Sequence, residues 1–214
     1  MSRLIYVGGQ KGGTTKTSTA HLLCLGAILR SEPAAYVLTD PARQLKAEGR
    51  PYGVMDGRDP NTLAGIIKAS ESTPNGWLIV DGGGNRPAFD IAMAQQADLC
   101  LLPFRASEED LEAISKDLQA MPNAIAWPSA WSTNKHAQDA AEYLIQGLEK
   151  AFPGRVIAMP IYFVNAVAEL LGARLDSPST PVRNAARRAF GIMTESFDAC
   201  ASSTYVEHRE AVST

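Results

Sequence analysis

The chain has 214 residues, of which 45% are hydrophobic and 20% charged, and its formal net charge is −3. These values suit a single domain over residues 1–214 with a sizeable core, and they argue against a disordered chain or one that binds nucleic acid over its whole surface. No apolar stretch reaches membrane-span length, and the first residues lack a secretion-signal profile, so a cytoplasmic location is expected.

The first apolar run, within 3–8, contains Leu4, Ile5, Tyr6 and Val7 and reads as a buried strand. Residues 9–18 follow as Gly-Gln-Lys-Gly-Gly-Thr-Thr-Lys-Thr-Ser and lead into a helical pattern over 17–30. A glycine-rich turn in that context makes a phosphate cradle. Backbone N–H groups freed by Gly12 and Gly13 can converge on an anion at the helix N-terminus, where unpaired amides and the macrodipole favour negative charge. The candidate nucleotide-binding residues are Gly12, Gly13, Thr14, Thr15, Lys16, Thr17 and Ser18, with Lys16 reaching the β- and γ-phosphates and the Thr17 hydroxyl ligating Mg²⁺. Ser18 reads equally as a phosphate contact or a first-turn helix residue. The ordinary P-loop pattern is not met, because Gln10 and Thr15 stand where its two glycines belong. Gln10 is expected to satisfy loop carbonyls.

A second strand over 35–39 runs into Asp40-Pro41, and a third over 77–81 ends in Asp81. The Pro- and Gly-rich stretch over 49–60 reads as a loop across the sheet, with a helix over 60–70 after it. Gly82-Gly83-Gly84 reads as a mobile segment. Asn85 and Arg86 beyond it either sense a γ-phosphate or lie on a solvated loop. Further strands are expected over 98–103, 123–127 and 155–159, and further helices over 107–121, 135–152 and 180–200. The helix after Ser107 carries acid in its first turn, and Asn134 is a weak candidate for a base contact. Runs such as Leu99-Cys100-Leu101-Leu102 are apolar on both faces, as in a parallel sheet covered on each side. The expected fold is therefore α/β, a doubly wound, mainly parallel sheet with helices on both faces. Lys16, Asp40 and Asp81 then share the carboxyl ends of the strands, where such sheets bind ligands.

Lys11, ahead of the glycine pair, resembles the signature lysine of the deviant Walker A P-loop NTPases, the ParA/MinD family of partition and positioning ATPases. The resemblance extends to Asp40-Pro41 and to Asp81 as the Walker B aspartate, and it covers residues 3–105. It implies ATP and Mg²⁺ as cofactors and catalytic roles for Lys11, Lys16 and Asp40. Asp40 would orient the attacking water, Thr17 and Asp81 would hold the metal, and Lys11 would cross to a partner's phosphates in an ATP-dependent homodimer. By the same resemblance the output is DNA segregation or plasmid partition. The implied partners are non-specific DNA and a small DNA-binding adaptor protein, with nucleoid association in the cytoplasm. A conjugative-transfer ATPase and a nucleotide-dependent synthetase of the same fold are alternatives. Three departures stand out: Thr15 where the family has glycine, Leu38-Thr39-Asp40-Pro41-Ala42 in place of Asp-x-Asp-Pro-Gln, and Gly82-Gly83-Gly84-Asn85 in place of Pro-Pro. Thr15 points to slow turnover, or to a binding module that has lost it.

Late in the chain Arg183, Arg187 and Arg188 fall near one helix face and read either as a DNA-binding patch or as a solvated face. Cys24, Cys100 and Cys200 are widely spaced in apolar surroundings and read as buried thiols. His21, His136 and His208 are too scattered for a metal site, and Trp127 and Trp131 read as packing residues.

Overall fold

A computed structural model describes residues 2–13 and 15–211, with side chains as far as residue 199. Thr14 and the side chains of Cys200 and His208 lie outside this range. Six strands, β1 (Arg3–Val7), β2 (Ala34–Leu38), β3 (Gly53–Asp56), β4 (Trp77–Asp81), β5 (Leu99–Phe104) and β6 (Ala124–Pro128), form one sheet in the order β3-β2-β4-β1-β5-β6. Every pairing is parallel, and the register sets Val7 and Leu38 each opposite Asp81. The alternation along β1 divides the interior into two cores. Ile5 and Val7 face α1 (Lys16–Ile28) and α6 (Thr180–Ala211), while Leu4 and Tyr6 face the layer of α2 (Pro60–Ser70), α3 (Pro87–Gln96), α4 (Glu108–Ala120) and α5 (Lys135–Ala151). This is the doubly wound fold expected from the two-sided apolar strands.

Helix α1 is buried nearly all round, because the sheet lies under it and α6 crosses over it. Gly26 sets that crossing distance: a Cβ there would collide with the Ala186 carbonyl and the Phe190 Cβ of α6. The other helices are punctuated by local chemistry. Asp59 accepts from the Thr62 amide ahead of Pro60, and Ser107 accepts from the Asp110 amide with three acids in the first turn of α4.

Three sequence expectations need correction. The stretch over 49–60 contains β3, a four-residue, half-exposed edge strand too short for its alternation to register. Residues 155–159 do not form a strand; Val156 makes a single bridge to Ala126 before Pro160 intervenes. Helix α3 begins at Pro87, directly behind a glycine run that had masked it. Gly82 and Gly83, within the segment read as mobile, are buried, while Gly84 is exposed: a Cβ on Gly82 would strike the Tyr6 phenol, and one on Gly83 would lie 3.2 Å from Asp40 Cγ. Cys24 and Cys100 are buried free thiols, and Trp127 and Trp131 are core residues, as expected.

Gly26→Ala is expected to destabilise the protein by about 1–3 kcal/mol through overpacking, despite the better helix propensity of alanine. In α5, where nothing approaches Gly147, Gly147→Ala should instead stabilise by roughly 0.5–1 kcal/mol. Urea denaturation of both variants checks the contrast, and equal effects would contradict the crossing geometry.

Candidate functional site

The loop after β1, the turn after β2 and the end of β4 meet at the carboxyl edge of the sheet. They surround a cavity of about 290 Å³ lined by the loop residues Gly12, Gly13, Thr15, Lys16, Thr17 and Ser18 and by Asp40, Arg43, Gly82, Gly84, Arg105 and Leu171. Three strand ends are tied together around it. The Thr39 hydroxyl donates to the Asp81 carbonyl at 2.8 Å, and the Asn85 amide donates to the Gln10 carbonyl at 3.0 Å.

Lys16 opens α1, is 8% exposed, and donates from Nζ to the Lys11 carbonyl at 2.7 Å. Burial lowers its pKa, and the negative charges of Asp81, Asp90 and Asp117 oppose that fall. Asp90 and Asp117 were not singled out in the sequence. They flank Gln10: its side-chain amide donates to Asp90, and its backbone N–H donates to Asp117 at 3.0 Å. Gln10 therefore binds carboxylates and not the loop carbonyls expected of it. Tyr6 donates its phenol to the other Asp90 oxygen. Burial is the main cause that pushes the Asp90 pKa up to about 6; Asp117 adds to the rise, and the Tyr6 hydrogen bond opposes it.

Asp81 is fully buried. Tyr36 Oη donates to its Oδ2 at 2.6 Å, whereas Oδ1 has no hydrogen-bond partner of good geometry. Burial pushes its pKa up to about 6, against the pull of the Tyr36 and Thr17 hydroxyls and of the Arg43 and Lys16 charges. The Thr17 hydroxyl thus approaches this carboxylate without satisfying Oδ1. A buried, unpartnered carboxylate oxygen beside a threonine hydroxyl is a hard-oxygen donor set, and it fits Mg²⁺ held largely through water.

Asp40 lines the cavity and also shapes its own turn, with Oδ1 accepting from the Ala42 amide at 2.9 Å and Oδ2 paired with Arg43 Nε at 3.3 Å. Lys11 does not line the cavity; its ammonium pairs with Glu109 at the start of α4 and lies 4.0 Å from Asp110. Arg43 and Arg105 do line it and were missed in the sequence. Both stand within a few residues of a strand's carboxyl end, the one signal that could have found them.

Thr15 adopts the left-handed conformation at φ 71° and ψ 11°. That is the backbone a glycine supplies freely and a β-branched residue resists by about 1–2 kcal/mol. Its hydroxyl donates to Ser129 Oγ at 2.8 Å, and Ser129, buried after β6, donates on to the Phe104 carbonyl at 3.0 Å. This chain of bonds, at about 1 kcal/mol each, offsets the strain.

The remaining candidates separate. Ser18 lines the cavity; Arg86 donates to the Thr39 carbonyl at 2.6 Å and stacks on Phe89, while Asn85 is exposed. Asn134 caps α5, its Oδ1 accepting from the Ala137 amide at 3.2 Å. Arg183, Arg187 and Arg188 are exposed on α6; Arg183 reaches the Thr180 hydroxyl and Arg188 covers the Tyr162 ring. His21 is buried against Tyr36 and Tyr52.

Neither a family model nor a curated protein sequence matches the chain. Solved structures do. The cell division ATPase MinD of Pyrococcus furiosus is similar with a TM-score of 0.65 at 15% identity, over 91% of this chain and 99% of that one. The pNOB8 ParA bound to nonspecific DNA gives 0.58 at 12% identity, over 95% and 99%. The cobyrinic acid a,c-diamide synthase of Mycobacterium smegmatis, with bound ADP and magnesium, gives 0.53 at 16% identity, over 81% and 91%. The chain shares the α/β fold of these three proteins, among them the MinD and ParA structures.

Two outcomes follow from this geometry. Thr15→Gly, which relieves strain as it removes a hydrogen bond, is expected to change stability by less than about 1 kcal/mol, whereas Thr15→Val should cost about 1–3 kcal/mol; a neutral valine variant in urea denaturation would contradict the compensation. Asp90, with a folded pKa of about 6 against an unfolded value near 3.9, penalises the fold when ionised, and that penalty fades as pH falls through 6 toward 4. The wild type should therefore gain stability relative to Asp90→Asn between pH 7 and pH 4. A flat difference across that window would show that Asp90 is not held in this way.

Proposed function

We propose that the protein is an ATPase of the ParA/MinD type, a single P-loop domain over residues 1–214 that binds ATP with Mg²⁺ at the carboxyl edge of its sheet. The observation that carries this reading is the cavity shared by the glycine loop, Lys16, Asp40, Arg43 and Arg105. Three cations facing one carboxylate beside a helix N-terminus suit a polyphosphate.

In this reading Gly12, Gly13, Thr14 and Thr15 wrap the phosphates with backbone amides, and Lys16 exchanges its bond to the Lys11 carbonyl for the β- and γ-oxygens. Ser18 lies on the α-phosphate side. Thr17 and Asp81 hold Mg²⁺, which when bound draws charge from the β- and γ-phosphates. Asp40 orients a water for attack on the γ-phosphorus, so that the bond to the bridging oxygen breaks and ADP and phosphate leave. Lys11 leaves Glu109 for the phosphates of a second copy, and this ties dimer formation to the nucleotide state.

The output we infer is positional, the segregation or placement of DNA with a DNA-binding adaptor, from a protein working in the cytoplasm and on the nucleoid. The exposed Arg183, Arg187 and Arg188 would meet DNA phosphates without sequence preference. This is supported by a similar fold having been seen on nonspecific DNA. Among the described residues no helix is long and apolar enough to cross a membrane. A nucleotide-dependent synthetase is the second reading, favoured by the diamide synthase fold.

Phosphate release from ATP by the purified protein, with and without DNA, tests the proposal. Slow turnover that DNA or an adaptor accelerates is expected, whereas a covalent product from a carboxylic acid would favour the synthetase. Lys16→Ala should abolish nucleotide binding. Asp40→Ala should retain binding and lower turnover by about 100-fold or more. Undiminished turnover in Asp40→Ala would remove that residue from the chemistry.

A further inference from the structure

Only one of the two Asp81 oxygens is committed within the protein. Tyr36 lies on β2 opposite Ile79, diagonal to the Leu38–Asp81 pair and on the same face of the sheet. From there its phenol reaches Asp81 Oδ2 at 2.6 Å. Burial raises the phenol's pKa, so it remains a donor.

The ring is clamped. His21 of α1, one turn beyond Thr17, stacks on it with centroids 4.1 Å apart and planes 16° apart. The His21 Nδ1 is in turn 3.0 Å from Tyr52 Oη, which Arg50 reaches at 3.3 Å. Burial, with the charges of Arg50, Arg43 and Lys46, holds His21 near a pKa of about 3, so the stacked ring is neutral. Residues of β2, α1 and the loop before β3 thus fix one phenol against one carboxylate oxygen. Oδ1 is left unpartnered inside the protein.

We propose that Tyr36 is a positioning residue for Asp81: by holding Oδ2 within the fold, it reserves Oδ1 for the cation beside Thr17. Nothing in the P-loop signature requires a tyrosine there. A carboxylate without this anchor can rotate about its last bond and offer either oxygen, so the cation meets a less organised ligand. The inference rests on the nucleotide reading above, and the two can be tested apart.

The experiment is equilibrium binding of a fluorescent ATP analogue, first in EDTA and then along a Mg²⁺ titration, for wild type, Tyr36→Phe and His21→Phe. Tyr36→Phe keeps the ring and its stack and removes only the hydroxyl. Its affinity in EDTA is expected to stay within about twofold of wild type, while the Mg²⁺ concentration for half-maximal enhancement rises about tenfold or more, the scale of a hydrogen bond to a charged group. His21→Phe, which retains the phenol, should keep the wild-type Mg²⁺ requirement. An unchanged Mg²⁺ requirement in Tyr36→Phe would overturn the positioning role and leave the nucleotide site standing. Equal loss of affinity with and without Mg²⁺, or an equal Mg²⁺ shift in His21→Phe, would assign the effect to disturbed packing and also overturn it. A wild type that binds no nucleotide in either condition would overturn the nucleotide reading and this inference together.

Discussion

A buried ammonium facing buried carboxylates organises this end of the molecule. Lys16 is largely withdrawn from water, and an unpaired charge in that position would cost several kcal/mol. The fold meets the cost with the Lys11 carbonyl at 2.7 Å and with the charges of Asp81, Asp90 and Asp117. Asp90 and Asp117 in turn hold Gln10 of the glycine loop, and Tyr6 of β1 holds Asp90. The loop is thereby shaped before any anion arrives, and an incoming polyphosphate would meet Lys16, Arg43 and Arg105 already gathered at one cavity.

The same economy explains why the chain tolerates its departures from the P-loop pattern. Thr15 keeps the left-handed backbone that glycine would supply and holds it with the Ser129–Phe104 relay. Gln10, in place of the first glycine, becomes the bridge between two carboxylates. Gly82 and Gly83 leave room for the Tyr6 phenol and for Asp40. Each departure is matched by a contact elsewhere, so the cavity keeps its shape although the signature does not.

Much of this was legible in the sequence. Two-sided apolar strands gave the parallel sheet, and the carboxyl-edge rule brought Lys16, Asp40 and Asp81 to one rim. What escaped was encoded outside local periodicity. β3 is short and half exposed, α3 starts behind glycines, and residues 155–159 are held by one bridge and interrupted by proline. The buried partners Asp90, Asp117, Tyr36 and Ser129 lie 45 to 114 residues from the groups they serve, counted from Gln10 to Asp90 and Asp117, Tyr36 to Asp81 and Thr15 to Ser129. Only tertiary contact reveals such pairs. Lys11 was read as a residue that acts across a dimer, and within one chain it is paired with Glu109; in the proposed function, dimer formation would exchange that ion-pair partner for phosphate.

The most direct test is a crystal structure grown with a non-hydrolysable ATP analogue and Mg²⁺. The expected result has the β- and γ-phosphates inside the loop within reach of Lys16, and the metal between Thr17 and Asp81. Nucleotide bound elsewhere, or a loop whose amides remain turned away from phosphate under saturating analogue, would contradict it.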